Sequence, residues 1–281
     1  MIGHPIGHSL SPQMHNAALA ELGRADPRFA GWRYHAFDVE SGRLPAALGL
    51  LGERGFRGVN LTVPHKVLAV ALVSGLDPGA LEVGAVNTLL REGEGWRGFN
   101  TDGYGLATSV REELGIDLRG FPVVLLGAGG AARGAAVECL REGCAGLWVL
   151  NRTRSNLDSL LAHLAPLARG IPVRGIDAGR LPEGVPAGAL VINAMSAGLR
   201  PSDAPPADLA AFHGVAAVYD MIYNPPRTRL LAQAQELGIP SANGLGMLVH
   251  QGAKALEVWT GVPSRLTAPV MRAAAAKALG Y

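Results

Sequence analysis

The sequence has few cysteines, few lysines and no long apolar run. Its two cysteines, Cys139 and Cys144, are too few for a disulfide framework, and we expect both to be buried thiols. No apolar run reaches the roughly 18 uninterrupted residues of a membrane-spanning helix. The first residues also lack the basic start and apolar core of a signal peptide. We therefore expect a cytoplasmic protein without a membrane partner.

The chain also lacks a strong excess of charge of either sign. Its 281 residues carry a formal net charge of +2, which gives no electrostatic footprint for nucleic acid. Hydrophobic residues make up 48% and charged residues 17%, a composition that excludes a disordered chain. The 38 glycines and 19 prolines follow no three-residue period, which excludes collagen and indicates a turn-rich globular protein. The length predicts about two domains.

Hydrophobic patterns predict alternating helices and strands, which is typical of an α/β fold. A helix should open at Ser11-Pro12, with Ser11 as its N-cap, and stop at Gly23. The predicted strands are 34–39, 58–63, 85–90, 96–100, 121–126, 147–150, 189–193 and 216–220. The other predicted helices are 44–53, a helix after Lys66, 104–114, one from the glycine loop to about Arg141, 245–260 and 265–279.

A glycine-rich loop follows the continuous apolar strand 121–126 and precedes a predicted helix. Its glycines permit a tight turn and a close approach of the backbone to a pyrophosphate, while Ala132 allows close packing of helix on strand. The loop residues are Gly127, Ala128, Gly129, Gly130 and Ala131. This context favours dinucleotide binding, and a glycine turn that binds nothing is the alternative.

The end of the next strand distinguishes the two nicotinamide cofactors. NAD-preferring sites place an acidic residue there to bind the ribose 2′-hydroxyl. This chain instead has Asn151, Arg152, Thr153 and Arg154. Two arginines and a hydroxyl suit a 2′-phosphate, so the sequence predicts NADP(H); two ordinary surface charges are the alternative.

Only three of the 25 basic residues are lysines, namely Lys66, Lys254 and Lys277. Lys254 and Lys277 lie in helical patterns, where a solvated face explains them. Lys66 ends the proline-containing loop NLTVPHK, and a lysine, unlike an arginine, can give up a proton. If the strand before Asp102 neighbours the strand before Lys66, the two form an acid–base pair. A plain surface ion pair is the alternative.

Short polar residues cluster in the first third of the chain. Ser9 and Ser11 enter a helix, where their hydroxyls could bind a carboxylate, although simple capping explains Ser11 equally well. Asn60, Thr62, Asn87 and Thr101 stand at predicted strand ends. With Lys66 and Asp102, they suit a hydroxylated, anionic small molecule. His4, His8 and His15 lack metal-site spacing, and no metal is expected.

Several ordered motifs resemble the shikimate dehydrogenase family along essentially the whole chain. They are GHPIGHSLSP, NLTVPHK, GAVNTL, NTDG, GAGGAAR, NRT, YDMIY and GLGMLVHQ. The resemblance implies NADPH-dependent reduction of 3-dehydroshikimate to shikimate in aromatic amino-acid biosynthesis. It also implies an α/β substrate domain, residues 1–102 completed by 244–281, and a Rossmann-type NADP-binding domain, residues 103–243. A monomer or homodimer is expected.

The resemblance also assigns roles by position. Lys66 and Asp102 would be the catalytic pair. The substrate would be held by Ser9, Ser11, Thr62, Asn87, Asp102, Tyr223 and Gln251. The cofactor would be held by the loop 127–131 and by Asn151, Arg152, Thr153, Arg154, Met221 and Gly244.

The chain departs from the family pattern at two places. Only Met1 and Ile2 precede the first motif, so the first strand should be short or the true start lie upstream. Asn156 also stands where the family often has an arginine, and Arg154 would replace it. A quinate/shikimate dehydrogenase of broader specificity, with NAD as a possible cofactor, and a non-catalytic NADP-binding sensor on the same fold are the rival functions.

Overall fold

A computed structural model describes residues 1–7, 9–177, 184–200 and 202–280. His8, which was considered as a metal ligand from the sequence, lies outside the described residues. The chain divides into two compact units, which we call the first unit (Met1–Gly105 with Val249–Tyr281) and the second unit (Leu106–Leu248). The boundaries predicted from the sequence fall a few residues earlier. No helix among the described residues is long and apolar enough to cross a membrane.

The N-terminal part combines short strands with helices. They are β1 (Ile2–Gly3), α1 (Ser11–Ala25), β2 (Phe37–Asp38), α2 (Leu44–Glu53), β3 (Gly58–Asn60), α3 (His65–Leu68), β4 (Gly75–Leu76), α4 (Pro78–Val83), β5 (Thr88–Glu92), β6 (Gly95–Phe99) and α5 (Asp102–Leu114). The rest are β7 (Pro122–Leu126), α6 (Gly130–Glu142), β8 (Gly146–Asn151), α7 (Arg154–Leu164), β9 (Val173–Asp177), β10 (Ala189–Asn193), β11 (Val215–Asp220), α8 (Arg229–Glu236), β12 (Ser241–Asn243), α9 (Leu245–Thr260) and α10 (Ser264–Leu279).

The first unit contains a four-stranded sheet in the order β3-β5-β6-β4 and a parallel pair, β1-β2. The strands predicted over 85–90 and 96–100 form a hairpin: β5 and β6 pair antiparallel across the turn at Gly93, whose φ of 56° suits a residue without a Cβ. Leu44, Leu48, Val59 and Leu89 are among the buried side chains between sheet and helices. The sheet is mixed, because β4 pairs parallel with β6 while β3–β5 and β5–β6 are antiparallel.

Several predicted boundaries in the first unit were wrong. Ser11 is the first helical residue and not the N-cap, because Leu10 precedes it as the N-cap; the Ser11 backbone N–H donates to the Ser9 hydroxyl at 3.2 Å. The helix also passes Gly23 and ends at Ala25. The strand predicted over 58–63 stops at Asn60, because a turn follows in which the His65 N–H donates to the Thr62 carbonyl at 2.9 Å.

The second unit contains a six-stranded sheet in the order β12-β11-β10-β7-β8-β9, in which every pair is parallel. The order reverses between β7 and β10, which is the doubly wound Rossmann arrangement. Both faces are covered, so its strands are continuous apolar runs such as Ala189–Asn193, which is buried throughout. Ligands of such sheets bind at the carboxyl ends of the strands where the order reverses.

The predicted buried thiols are confirmed. Cys139, in α6, and Cys144, just before β8, are both buried and free. Burial raises the pKa of the Cys144 thiol to about 11, and that of Cys139 well above its ordinary value. Both are therefore neutral packing residues near neutral pH.

Candidate active site

Lys66 and Asp102, which are 36 positions apart in the chain, lie together in the first unit. The Lys66 Nζ donates to the Asp102 Oδ2 at 2.6 Å. The lysine is the last residue of the NLTVPHK segment and lies in α3, and the aspartate is the first residue of α5. Their side chains are 30% and 21% exposed, so both groups are partly buried and still open to solvent. A half-buried pair of this kind can exchange a proton with a ligand.

The other Asp102 oxygen is held by Asn87. The Asn87 Nδ2 donates to the Asp102 Oδ1 at 2.8 Å and to the Thr101 hydroxyl at 3.0 Å. Its Oδ1 accepts from the Thr101 N–H at 2.9 Å. Asn87 is buried, at 2% exposed, and both of its amide hydrogens are used within the protein. The structure thus shows Asn87 as a hydrogen-bond partner of Asp102. The predicted contact between Asn87 and a substrate stays a prediction.

The remaining predicted substrate residues fall in both units. Ser9, Ser11 and Thr62 lie in the first unit, where Ser9 and Ser11 contact each other at the start of α1. Gln251 lies in α9 of the same unit, and its backbone carbonyl accepts from the Thr101 hydroxyl at 3.0 Å. The structure therefore brings Gln251 next to the Asn87–Asp102 pair. Tyr223 lies in the second unit.

The histidines do not form a metal cluster among the described residues. His4 Nδ1 contacts the Asp38 carboxylate at 2.6 Å on the surface. His15 is completely buried, its ring stacks on Tyr34 with 4.1 Å between centroids, and neither ring nitrogen has a hydrogen-bond partner in the described part of the chain. Burial lowers the pKa of His15 to about 3, so its ring is neutral near neutral pH.

The glycine loop of the second unit leaves the start of α6 without a side-chain cap in the part of the chain that the structure describes. Gly127 has φ 114°, and a Cβ there would lie 3.1 Å from the Met195 side chain. Gly129 is the N-cap of α6, and none of the described side chains caps that helix. A Cβ on Gly129 or Gly130 would meet no described atom within 4 Å. The first-turn N–H groups are therefore open to an anion, as a cofactor phosphate requires.

The end of β8 presents cations and no acidic residue. Arg152 is exposed and makes no hydrogen bond or ion pair within the described part of the chain. Arg154 is exposed as well, but its Nε donates to both Asp158 carboxylate oxygens at 2.9 and 3.1 Å. Asn151 Nδ2 donates to the Thr153 carbonyl at 2.8 Å, which fixes the turn. The set fits a 2′-phosphate, with Arg152 as the cation that a ligand meets first.

A buried carboxylate organises the loops after β10 and β11. Asp220 accepts from Asn193 Nδ2 at 2.9 Å and from the Thr228 hydroxyl at 2.6 Å, and its Oδ1 accepts the Ile222 N–H. Burial raises the pKa of Asp220, and these hydrogen bonds oppose the rise. The arrangement fixes the backbone on either side of Met221. A Cβ on Gly244 would lie 2.1 Å from the Met221 carbonyl, so only glycine fits there.

Comparison with known proteins agrees with this geometry. The family model for the shikimate dehydrogenase substrate binding domain matches residues 1–89, and that for the shikimate 5'-dehydrogenase C-terminal domain matches residues 244–275. A shikimate dehydrogenase (NADP(+)) of Moorella thermoacetica is 44% identical over 93% of this chain and 87% of its own length.

The chain belongs to the shikimate dehydrogenase family. Among solved shikimate dehydrogenases, one in complex with NADP+ is 34% identical, with a TM-score of 0.86, over 99% of this chain and 93% of its own. Another, from Thermus thermophilus in complex with NADP(H) and shikimate, is 37% identical, with a TM-score of 0.82, over 97% of each chain. These matches confirm the predicted family, the α/β fold with its Rossmann-type sheet, and the class of NADP-dependent oxidoreductase.

Two groups of polar residues were not assigned to a site from the sequence. In the first group, Thr88 donates to Asn87, and Tyr34 donates to Asn60. In the second group, Asn193 and Thr228 donate to Asp220, next to Met221. The available signal was a polar residue at the end of an apolar strand, as in VINA and VYDM. That pattern indicates a buried polar group, but it does not say which group it contacts.

Proposed function

We propose that this protein reduces 3-dehydroshikimate to shikimate with NADPH. The observation that carries the proposal is the Lys66–Asp102 pair, joined at 2.6 Å in the first unit of a shikimate dehydrogenase family member. Family membership supports the substrate and the cofactor, and the pair supports a proton transfer at a carbonyl.

The substrate is a ring with one carboxylate and several hydroxyls, which needs many short polar contacts. In the proposal these come from Ser9, Ser11, Thr62, Asn87, Asp102, Tyr223 and Gln251. Ser9 and Ser11 stand together at the start of α1, where the free N–H groups favour a carboxylate. Asp102 is acceptor-only while charged, so it favours a ligand hydroxyl over a second carboxylate.

NADPH supplies a hydride to the substrate carbonyl carbon when it is bound. The loop residues Gly127, Ala128, Gly129, Gly130 and Ala131 would hold its pyrophosphate, and Asn151, Arg152, Thr153 and Arg154 its adenosine phosphate end. Met221 and Gly244 would contact it through the backbone that Asp220 fixes. The open N-terminus of α6 supports this assignment, as does Arg152, which has no ion-pair partner in the part of the chain that the structure describes.

Lys66 would supply the proton. As the carbonyl carbon gains a hydride, its oxygen gains negative charge, and the Lys66 ammonium donates a proton to it. The product is an alcohol, and the neutral amine regains its proton from water. The Asp102 carboxylate stays charged throughout, stabilises the ammonium and orients it, while Asn87 holds the carboxylate.

Steady-state assays with shikimate or quinate, each with NADP+ or NAD+, test the proposal. The expected result is efficient oxidation of shikimate with NADP+ and much weaker turnover of the other three combinations. Comparable turnover of quinate would make the protein a dehydrogenase of broader specificity. Binding of NADPH without oxidation of either acid would make it a sensor. The proposal also keeps a cytoplasmic location and a monomer or homodimer, which fractionation and size-exclusion chromatography would check.

A further inference from the structure

A chain of buried polar side chains ends at the Lys66–Asp102 pair. The Tyr34 hydroxyl donates to Asn60 Oδ1 at 2.7 Å, and Asn60 Nδ2 donates to the Thr88 hydroxyl at 3.0 Å. The Thr88 hydroxyl donates to Asn87 Oδ1 at 2.9 Å, and Asn87 Nδ2 donates to Asp102. We call Tyr34, Asn60, Thr88 and Asn87 the asparagine chain. Every donor in it points towards the carboxylate.

The direction of this chain matters because a carboxamide has nearly the same shape when its oxygen and nitrogen are exchanged. Only one orientation of Asn87 gives Asp102 a donor. With the amide reversed, its oxygen would face the carboxylate oxygen now 2.8 Å away, and its NH₂ would face the donors that now serve Oδ1. Both contacts would be repulsive. The groups that face Asn87 Oδ1 therefore decide whether Asp102 is held.

Three donors face that oxygen: the Thr88 hydroxyl and the Thr101 N–H, both at 2.9 Å, and the Thr101 hydroxyl at 3.3 Å, which also donates to the Gln251 carbonyl at the shorter distance of 3.0 Å. The backbone N–H is a donor in any sequence, but a hydroxyl has one proton and can turn it elsewhere. Asn60 removes that freedom, because its NH₂ occupies the acceptor side of the Thr88 oxygen. The Thr88 proton is thereby left for Asn87.

Tyr34 fixes Asn60 in turn. Burial raises the pKa of the Tyr34 phenol far above its usual range, with a hydrogen bond from Ser11 opposing the shift, so the phenol stays protonated and donates. The Asn60 Oδ1 accepts from that donor. The Asn60 NH₂ donates to the Thr88 hydroxyl and, at 3.1 Å, to the backbone carbonyl of Asn87. His15 stacked on Tyr34 holds the phenol ring in place.

We propose that Thr88 is a positioning residue for the reaction: its hydroxyl, directed by Asn60 and Tyr34, sets the Asn87 amide so that Asp102 orients Lys66. Thr88 is fully buried, at 0% exposed, so it acts through Asn87 and not on a ligand. The kinetic consequence rests on the proposed function. The orientation of the Asn87 amide does not.

Thr88→Val and Thr88→Ser separate this role from packing. Valine keeps the shape and removes the hydroxyl, whereas serine keeps the hydroxyl and removes a buried methyl group. We expect Thr88→Val to lower kcat about tenfold, the scale of one lost hydrogen bond at an oriented group, with KM changed less than about twofold. Thr88→Ser should stay within about twofold of wild-type kcat.

Ser109→Ala is the matched control, since it removes a buried hydroxyl that accepts from Tyr219 at 2.8 Å in the second unit. It should lower Tm and leave kcat unchanged. Tyr34→Phe tests the far end of the asparagine chain and serves if Thr88→Val does not fold. It should lower kcat by about threefold, because Asn60 then loses one donor and keeps its other contacts.

A readout without turnover uses protein labelled with ¹⁵N at asparagine, with the Asn87 signal assigned by Asn87→Asp. The Asn87 side-chain NH₂ should exchange slowly with solvent in the wild type and in Thr88→Ser, and faster in Thr88→Val. A wild type inactive on shikimate would overturn the proposed function, while the amide signal would still test the role of Thr88. An unchanged kcat and amide signal in Thr88→Val, or equal losses of kcat in Thr88→Val and Thr88→Ser, would overturn the role of Thr88.

Discussion

The two units prepare their sites in opposite ways. In the first unit, Lys66, Asp102 and Asn87 are hydrogen-bonded to one another, and buried side chains stand behind them. In the second unit, the glycine loop offers open backbone N–H groups, and Arg152 has no partner among the described residues. The polar groups of the first site are therefore hydrogen-bonded within the protein. Those of the second site would gain hydrogen-bond partners from a ligand.

This difference follows from the chemistry asked of each site. A group that transfers a proton must be held within a narrow geometry, which a network of short hydrogen bonds provides. A group that binds a phosphate must be free to meet it, and the ligand then supplies the missing partner. The first site should therefore be sensitive in kcat, and the second in the KM for the cofactor.

The largest expected effect is that of Lys66→Ala on turnover. Loss of the proton donor should lower kcat roughly a thousandfold, while KM for shikimate changes little. Steady-state kinetics measure both. Lys254→Ala is the matched control, because Lys254 pairs with Glu257 at 2.6 Å and is 34% exposed, close to the values for Lys66. A Lys66→Ala protein with near-normal kcat would remove Lys66 from the chemistry.

A smaller effect is expected in the second unit from Arg152→Ala. Loss of a charge-assisted contact with the 2′-phosphate should raise KM for NADPH about thirtyfold and leave KM for NADH nearly unchanged. Arg154→Ala should have a smaller effect, since Arg154 is already bound to Asp158. Steady-state kinetics with both cofactors give the comparison. Equal weakening of NADPH and NADH in Arg152→Ala would show that Arg152 does not contact that phosphate.

The second unit was easier to predict from the sequence than the first unit. Val123–Leu126 and Ala189–Asn193 are buried on both faces, so their apolar runs are continuous and their ends sharp. The glycine loop has its own signature in the sequence. The predicted strand 189–193 matches the structure, and the helix after the loop ends within a residue of its predicted end.

The first unit was harder to predict because its strands are short and its contacts are non-local. β2 spans only Phe37–Asp38, and both residues are exposed, so the pattern over 34–39 predicted too long a strand. Lys66 and Asp102 carried a chemical signal, but the predicted condition for their pairing was wrong: the strand before Lys66, β3, does not neighbour the strand before Asp102, β6, because β5 lies between them, and the two side chains meet all the same. Lys254 was assigned to a solvated face, whereas it pairs with Glu257 and lies over the Tyr104 ring.

A third prediction concerns stability in acid, and not kinetics, and it rests on the buried ring of His15. The folded-state pKa is lowered from 6.5 to about 3, so below pH 6.5 the unfolded chain binds a proton that the folded chain does not. As pH falls from 6.5 towards 3, the free energy of unfolding should thus fall by about 1.4 kcal/mol per pH unit. Above pH 6.5 His15 adds no pH dependence, because its ring is neutral in both states. His15→Phe keeps an aromatic ring against Tyr34 and should remove the part of the slope that His15 contributes, while the buried Met1 amine, whose pKa burial lowers to about 5, keeps its own part.

Urea unfolding from neutral pH down to about pH 4 measures the slope in wild type and His15→Phe. His4→Asn is a contrasting control. The pKa of His4 is raised by Asp38, so His4 stabilises the fold below its unfolded pKa and this contribution is lost as pH rises. Its removal should not flatten the curve. The same slope in His15→Phe and wild type would contradict the assignment of a neutral buried ring.

The central claim is that the protein moves a hydride from NADPH to the carbonyl carbon of 3-dehydroshikimate while Lys66 supplies the proton. The most direct measurement is the mass of shikimate formed from NADPH that carries deuterium at both C4 positions of its nicotinamide. The account predicts product with one deuterium bound to carbon. Shikimate formed without deuterium, or no shikimate at all, would contradict it.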